Sequence, residues 1–143
     1  MSTLDRAIQI AAAAHEGQTD KARAPYILHC MRVMLRGATA EEMIVGVLHD
    51  VVEDTDWSLA ELAEAGFSEI VIQAIDAMTR RDDEPYEDFV RRAARNRIAR
   101  CVKVFDLEDN MDPSRLARPS AEDLARRKRY EAAHRFLTSG ETR

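Results

Sequence analysis

The run Met43-Ile44-Val45-Gly46-Val47-Leu48-His49-Asp50-Val51-Val52-Glu53-Asp54 constrains this chain more than any other stretch. Its apolar residues fall almost all the way round a helical wheel, so it predicts a helix buried in the interior. Yet it carries an imidazole at His49 and carboxylates at Asp50, Glu53 and Asp54. A bare carboxylate in an apolar interior is costly unless it is paired, protonated or bound to a metal. The run holds no Lys or Arg, so the balancing charge comes from elsewhere, and a divalent cation is the most economical choice.

Helical periodicity runs through nearly the whole chain, and no stretch alternates convincingly as a strand does. Thr3 is set to cap a first helix with Leu4, Ala7, Ile8, Ala11 and Ala14 on one face. Residues 17–24 form a polar loop, and Pro25 suits the first turn of a second helix that ends by Gly37. Thr39 and Glu42 make a capping box that opens the central helix, which Thr55 and Asp56 end. Ser58 with Glu61 opens a short helix closed at Gly66, and Ser68 starts the next. Tyr86 to Asn96 and Ile98 to Met111 read as two more, the second stopped by Asp112-Pro113. Ser120 and Asp123 cap a last helix over about 120–137, and 140–143 is expected to fray. The pattern predicts an all-α fold, one compact domain over 1–143 with about seven to eight helices.

On a continuous helix His49 lies one turn from Glu53, and Asp50 one turn from Asp54. Two ligand-type residues are thus followed by two acid–base candidates. A cation held by the first pair lowers the pKa of a water, and a carboxylate takes its proton. Two other apolar helices offer further ligands. One carries His29 between Leu28 and Cys30; the other carries Asp106 after Val102, Val104 and Phe105, with Asn110 one turn on. Each has an ordinary explanation alone, a hydrogen-bonded core histidine or an aspartate paired with arginine. Together, in three apolar helices, they are harder to explain that way. Two His and two Asp form a nitrogen–oxygen set without thiolate, which suits Mn²⁺ or another first-row divalent ion better than a structural zinc. Four protein ligands on an octahedral ion leave two positions for water and substrate. His15 and His134 read as structural or surface residues.

A formal charge of -5 weighs against a nucleic-acid partner. The arginine runs at Arg80-Arg81, Arg91-Arg92 and Arg126 to Arg129 read as solvated helix faces. Apolar residues at 45% and charged ones at 33% fit a soluble globular protein. No apolar stretch approaches the ~20 residues of a membrane span. The N-terminus shows no charged-then-apolar leader, so the expected location is cytoplasmic. Cys30 and Cys101 sit among apolar neighbours and read as buried free thiols. A homo-oligomer is compatible with these properties.

The order His…His-Asp…Asp resembles the HD-domain metal-dependent phosphohydrolases, and more narrowly the hydrolase domain of the RelA/SpoT enzymes and small alarmone hydrolases. The matching stretches are Ala14-His15-Glu16-Gly17-Gln18 with Lys21, Pro25 to His29, Leu48 to Thr55, Ala77-Met78-Thr79, and Val102 to Asp106 with Asn110. They run from about Asp5 to Met111. The resemblance implies an HD-type helical domain in which His29, His49, Asp50 and Asp106 hold Mn²⁺. It implies that Glu53 and Asp54 activate the attacking water, and that Lys21 and Asn110 contact a nucleotide. The reaction implied is removal of pyrophosphate from the 3′ position of guanosine tetra- or pentaphosphate; at 143 residues only this hydrolytic part is expected. Where the family commonly has Arg-Lys-Ser, this chain has Asp20-Lys21-Ala22, and Leu107 and Asp109 replace a basic and an aromatic or His residue. An acid beside a polyphosphate keeps two alternatives in view: the same chemistry on a dinucleotide phosphate or nucleoside monophosphate, or a nucleotide-binding module without catalysis.

Overall fold

In the computed structural model, which describes residues 2–115 and 118–139, helices begin where a side chain can take over an orphan backbone N–H. Thr3, Thr39, Ser58, Ser68, Asn96 and Ser120 each accept from the amide three residues on. The resulting segments are α1 (Leu4–Ala14), α2 (Tyr26–Leu35), α3 (Ala40–Leu48), α4 (Val51–Asp54), α5 (Leu59–Glu64), α6 (Glu69–Met78), α7 (Tyr86–Ala94), α8 (Arg97–Asn110) and α9 (Ala121–Thr138), with a 3-10 turn at Pro113–Arg115. Among the described residues there is no strand, only an isolated bridge between Thr19 and Pro25. The all-α expectation holds. The fraying expected at 140–143 lies outside the described residues.

Local signals shift in small ways. Pro25 stands just before the first turn of α2 rather than in it. Asn96 belongs to the start of α8, not to the end of α7. The reciprocal boxes form at Ser58/Glu61 and Ser120/Asp123. At Thr39 only half the box forms, because the Glu42 carboxylate accepts from the Ala38 N–H at 2.9 Å. Cys30 is fully buried, whereas Cys101 is only partly so.

The expected central helix is broken. α3 ends at Leu48, Asp50 takes φ -104 and ψ 0, and the chain re-enters a helix at Val51. The cause lies in the polar residues themselves. The Gly46 carbonyl, which an uninterrupted helix would pair with the Asp50 N–H, accepts from His49 Nδ1 at 2.6 Å. The break therefore turns His49 and Asp50 into one pocket and splits the expected helix into α3 and α4.

Around this break, α3 is the hub. Val45, Val47 and Leu48 are fully buried, and α3 packs on α1, α2, α6 and α8. A second, smaller core of Val90, Ala94, Leu107, Ala133 and Leu137 fastens α9 to α7 and α8. The α2–α3 contact is backbone-close at Gly46, where an added Cβ would stand 3.0 Å from Met34 Cα and 3.2 Å from Met34 N. These two helices carry His29 and lead into His49, whose rings lie 5.4 Å apart.

Gly46→Ala tests this close approach. In an ordinary helix the change stabilises by about 1 kcal/mol. Here the neighbours are backbone atoms and cannot rotate away, so overpacking should cost about 1–3 kcal/mol. Urea unfolding of the metal-free protein measures it; a variant more stable than the parent would contradict the packing argument.

Candidate metal centre

Three helical segments deliver four ligand-type side chains to one point. His29 comes from α2, His49 and Asp50 from the break after α3, and Asp106 from α8. One potential ligand atom from each lies within 4.8 Å of all the others. Each histidine has its Nδ1 engaged elsewhere: His49 on the Gly46 carbonyl and His29 on Asp109 Oδ2, both at 2.6 Å. Those acceptors leave both Nε2 atoms aimed inward. His29 Nε2 and His49 Nε2 approach Asp106 Oδ1 at 3.0 and 3.2 Å, and His49 Nε2 lies 2.9 Å from Asp50 Oδ2. Such distances are repulsive between lone pairs unless a proton or a metal ion sits among them. The donor set fits a divalent ion.

Supporting contacts hold the carboxylates. Asp50 Oδ2 accepts from the Tyr26 hydroxyl. Asp106 Oδ1 accepts from Asn110 Nδ2 at 3.1 Å, and its Oδ2 from Lys103 Nζ at 3.0 Å. The cation expected for Asp106 is thus a lysine on its own helix, not an arginine. Lys103 is buried, with its ammonium 5.0 Å from the Phe89 ring centroid. Burial would raise the Asp106 carboxyl, but Lys103 and the two histidines hold it well below the ordinary range. Burial likewise opposes charge on His49, yet Asp50 and Asp106 raise it well above the usual imidazole value. Burial pushes the Cys30 thiol up to about 12, which keeps it a thiol and out of the ligand set.

Glu53 and Asp54 lie at the exposed edge. The helix is interrupted between His49 and Glu53, and Glu53 Oε1 accepts from the Arg80 N–H at 2.9 Å. Arg92 fixes that segment by donating to the Asp76 and Thr79 carbonyls and to Glu84. The Asp54 carbonyl accepts from Gln18, whose Oε1 meets His15 Nδ1 at 2.8 Å, giving His15 the structural place expected. Partial desolvation, then the charges of Asp50 and Glu53, push the Asp54 carboxyl up to about 6.

A cavity of about 400 Å³ borders the cluster through Tyr26 and Asn110, the latter a predicted site residue. Lys21, also predicted, lines it and pairs with Asp123 at 3.2 Å. Asp20 lines it too, but its carboxylate accepts from the Ala22 and Ala24 amides and so shapes the loop. The sequence reading missed Arg126 and Tyr130, which α9 brings to the same cavity. Their one signal was spacing, four residues apart on one helix face, within a basic run read as solvated. Leu107 is fully buried beneath α9 and takes no part in the cavity.

Two changes probe this electrostatic arrangement. Lys103→Met leaves Asp106 without its cation, so the metal-free protein should lose on the order of 3 kcal/mol, and added Mn²⁺ should restore part of it. Equal unfolding midpoints in a chelator would refute the pairing. For Asp54, the folded state holds the proton from the ordinary 3.8 up to about 6, so stability falls as pH rises through that interval. Asp54→Asn removes this loss. Its stability advantage should be near zero at pH 3.8 and largest above about 6, read by denaturant titration of the metal-free pair. An advantage that does not grow with pH counts against it.

No family model matches the chain. Among curated proteins, it is 35% identical over 83 residues to a GTP pyrophosphokinase of Streptomyces coelicolor, covering 55% of this chain and 10% of that protein. It is 29% identical over 120 residues to a guanosine-3′,5′-bis(diphosphate) 3′-pyrophosphohydrolase of Aquifex aeolicus, covering 76% and 17%. A hydrolase of the same name from Vibrio cholerae is 31% identical over 100 residues, covering 67% and 14%. The chain thus spans less than a fifth of the length of these relatives. A solved structure described as a metazoan ortholog of SpoT that hydrolyses ppGpp superposes with a TM-score of 0.74 at 23% identity, over 97% of this chain and 85% of that one. The fold is that of the SpoT-like neighbour, and the resemblance to the RelA/SpoT hydrolase domain is supported.

Proposed function

We propose that this chain is a metal-dependent phosphohydrolase of the HD type that removes pyrophosphate from the 3′ position of guanosine tetra- or pentaphosphate, acting in the cytoplasm. The observation that carries this reading is the convergence of His29, His49, Asp50 and Asp106 within 4.8 Å, next to a cavity with basic and aromatic walls. These four residues would hold Mn²⁺ or a similar first-row ion. Bound there, such an ion acidifies a water and withdraws charge from a phosphoryl oxygen.

The chain's own residues supply the rest. Lys21 and Arg126 line the cavity and suit the phosphates of a nucleotide, and Tyr26 and Tyr130 offer faces for a base. Asn110 spans the junction, donating to Asp106 while it faces the cavity. Asp54, pushed up to about 6, sits near neutrality, where a base accepts a proton and releases it readily. Glu53, oriented by the Arg80 amide, is the second carboxylate at that edge. Water adds to the phosphorus attached to the 3′ oxygen, its proton passes to this pair, and the bond to that oxygen breaks. The 3′ oxygen takes up a proton and pyrophosphate leaves.

Asp20 at the cavity, where the family carries Arg, favours a second reading, metal-dependent phosphate-ester hydrolysis of another nucleotide, a dinucleotide phosphate or a nucleoside monophosphate. A panel of nucleotides with Mn²⁺-loaded protein separates the two. Guanosine tetraphosphate should release pyrophosphate, Glu53→Gln should slow it on the order of 10²-fold or more with metal retained, and His49→Ala should remove metal and turnover together. Turnover of another nucleotide with none of the tetraphosphate supports the second reading. Wild-type protein no faster than His49→Ala on every substrate rejects both.

A further inference from the structure

We infer that Asp109, held in place by Arg32, is a positioning residue for metal binding: it fixes the ring orientation and tautomer of His29 and strengthens it as a ligand. This rests on the metal-centre reading above and adds a residue that the resemblance does not supply, since the family shows an aromatic or His at this position.

The geometry is specific. Asp109 Oδ2 stands 2.6 Å from His29 Nδ1, on the ring edge opposite Nε2, which faces Asp106 at 3.0 Å. His29 is only 1% exposed, so water has little access to satisfy Nδ1 in its place. A carboxylate there makes Nδ1 the protonated nitrogen and leaves the Nε2 lone pair for the centre. Asp109 is not one of the four residues whose ligand atoms cluster within 4.8 Å, so it supports the site rather than joining it.

Arg32 explains how an additional carboxylate is tolerated there. Its Nε donates to Asp109 Oδ1 at 2.7 Å and its terminal nitrogen to Oδ2 at 3.1 Å, a two-pronged grip that fixes the carboxylate plane. Asp109 thereby enters with its own counter-charge and does not add to the negative charge of Asp50 and Asp106. Spacing completes the arrangement. Asp106 and Asp109 are three apart on α8, so one helix supplies both a ligand and the brace for another ligand on α2. His49 is braced differently, by the Gly46 carbonyl, and so lacks the extra donor strength a charged acceptor confers on His29.

The competing explanation is a plain clamp between α2 and α8. Metal-stripped wild type, Asp109→Asn, Asp109→Ala and Arg32→Ala are titrated with Mn²⁺ by calorimetry, and their unfolding midpoints are measured in chelator. The positioning role predicts a Mn²⁺ Kd weakened roughly tenfold in Asp109→Asn and approaching 100-fold in Asp109→Ala, with Arg32→Ala nearer to wild type. Asp109→Asn retains an acceptor for Nδ1, so it should keep the metal-free midpoint while losing affinity; Co²⁺ loading should also show shifted visible bands. Metal affinities within twofold of wild type, with midpoints lowered alike in Asp109→Ala and Arg32→Ala, would leave only the clamp and overturn the inference. Wild-type protein that binds no ion overturns the metal reading and this one with it.

Discussion

Two carboxylates and two imidazoles facing one another in a nearly dry pocket is the arrangement on which the rest of this structure depends. Their atoms approach to 2.9–3.2 Å, distances at which every lone pair needs a positive partner. Lys103 supplies one charge from outside the cluster, on the far oxygen of Asp106. It cannot serve the near oxygen, where both histidines converge. What belongs among them is compact, cationic and able to accept four lone pairs, which describes a metal ion better than a side chain. The helix packing follows from that need: the close α2–α3 contact at Gly46, the interruption after Leu48 and the turn of α8 that carries Lys103 and Asp106 all serve to hold the four groups together.

From this buried centre the polarity rises outward in steps. Asp106 is fully committed to its negative form, held there by Lys103 and the histidines against the pull of burial. Asp54, at the edge, has its carboxyl pushed up to about 6, first by partial desolvation and then by the charges of Asp50 and Glu53. Acids of one chemical type are thus driven in opposite directions by their surroundings, one toward binding a cation and the other toward exchanging a proton. The same two-turn stretch of sequence provides members of both groups, which is why the break at His49 and Asp50 matters. Had the helix continued unbroken, His49, Asp50, Glu53 and Asp54 would lie along one face instead of being divided between the buried cluster and its exposed edge.

The helix starts were legible because capping is local: Thr3, Ser58, Ser68 and Ser120 need only the amide three residues on. The four ligand-type residues were legible as polar intrusions in apolar helices, a cost that demands a return. The break was not, because it depends on the His49 ring taking the Gly46 carbonyl, a competition periodicity does not register. Asp20 and Asp109 looked out of place beside a polyphosphate. The loop amides occupy the first, and His29 with Arg32 the second, partners that only folding brings within reach.

The α9 contribution is the furthest from sequence reach, and it shows how core and site are joined. Arg126 and Tyr130 border the cavity because their helix lies on Val90, Ala94 and Leu107 through Ala133 and Leu137. Arg127 adds a lock by donating to the Met111 carbonyl at the end of α8, and Arg100 by donating to the Leu137 carbonyl. Leu107 therefore serves the cavity without touching it: a basic side chain there would need water, and water beneath α9 would open the small core that sets the cavity wall. The exchange of a charged position for an apolar one on α8 and the presentation of a cation by α9 are thus parts of one arrangement. In it α9 brings Arg126 to the cavity beside Lys21, while α8, the helix that carries Asp106, spends the Leu107 position on holding α9 in place.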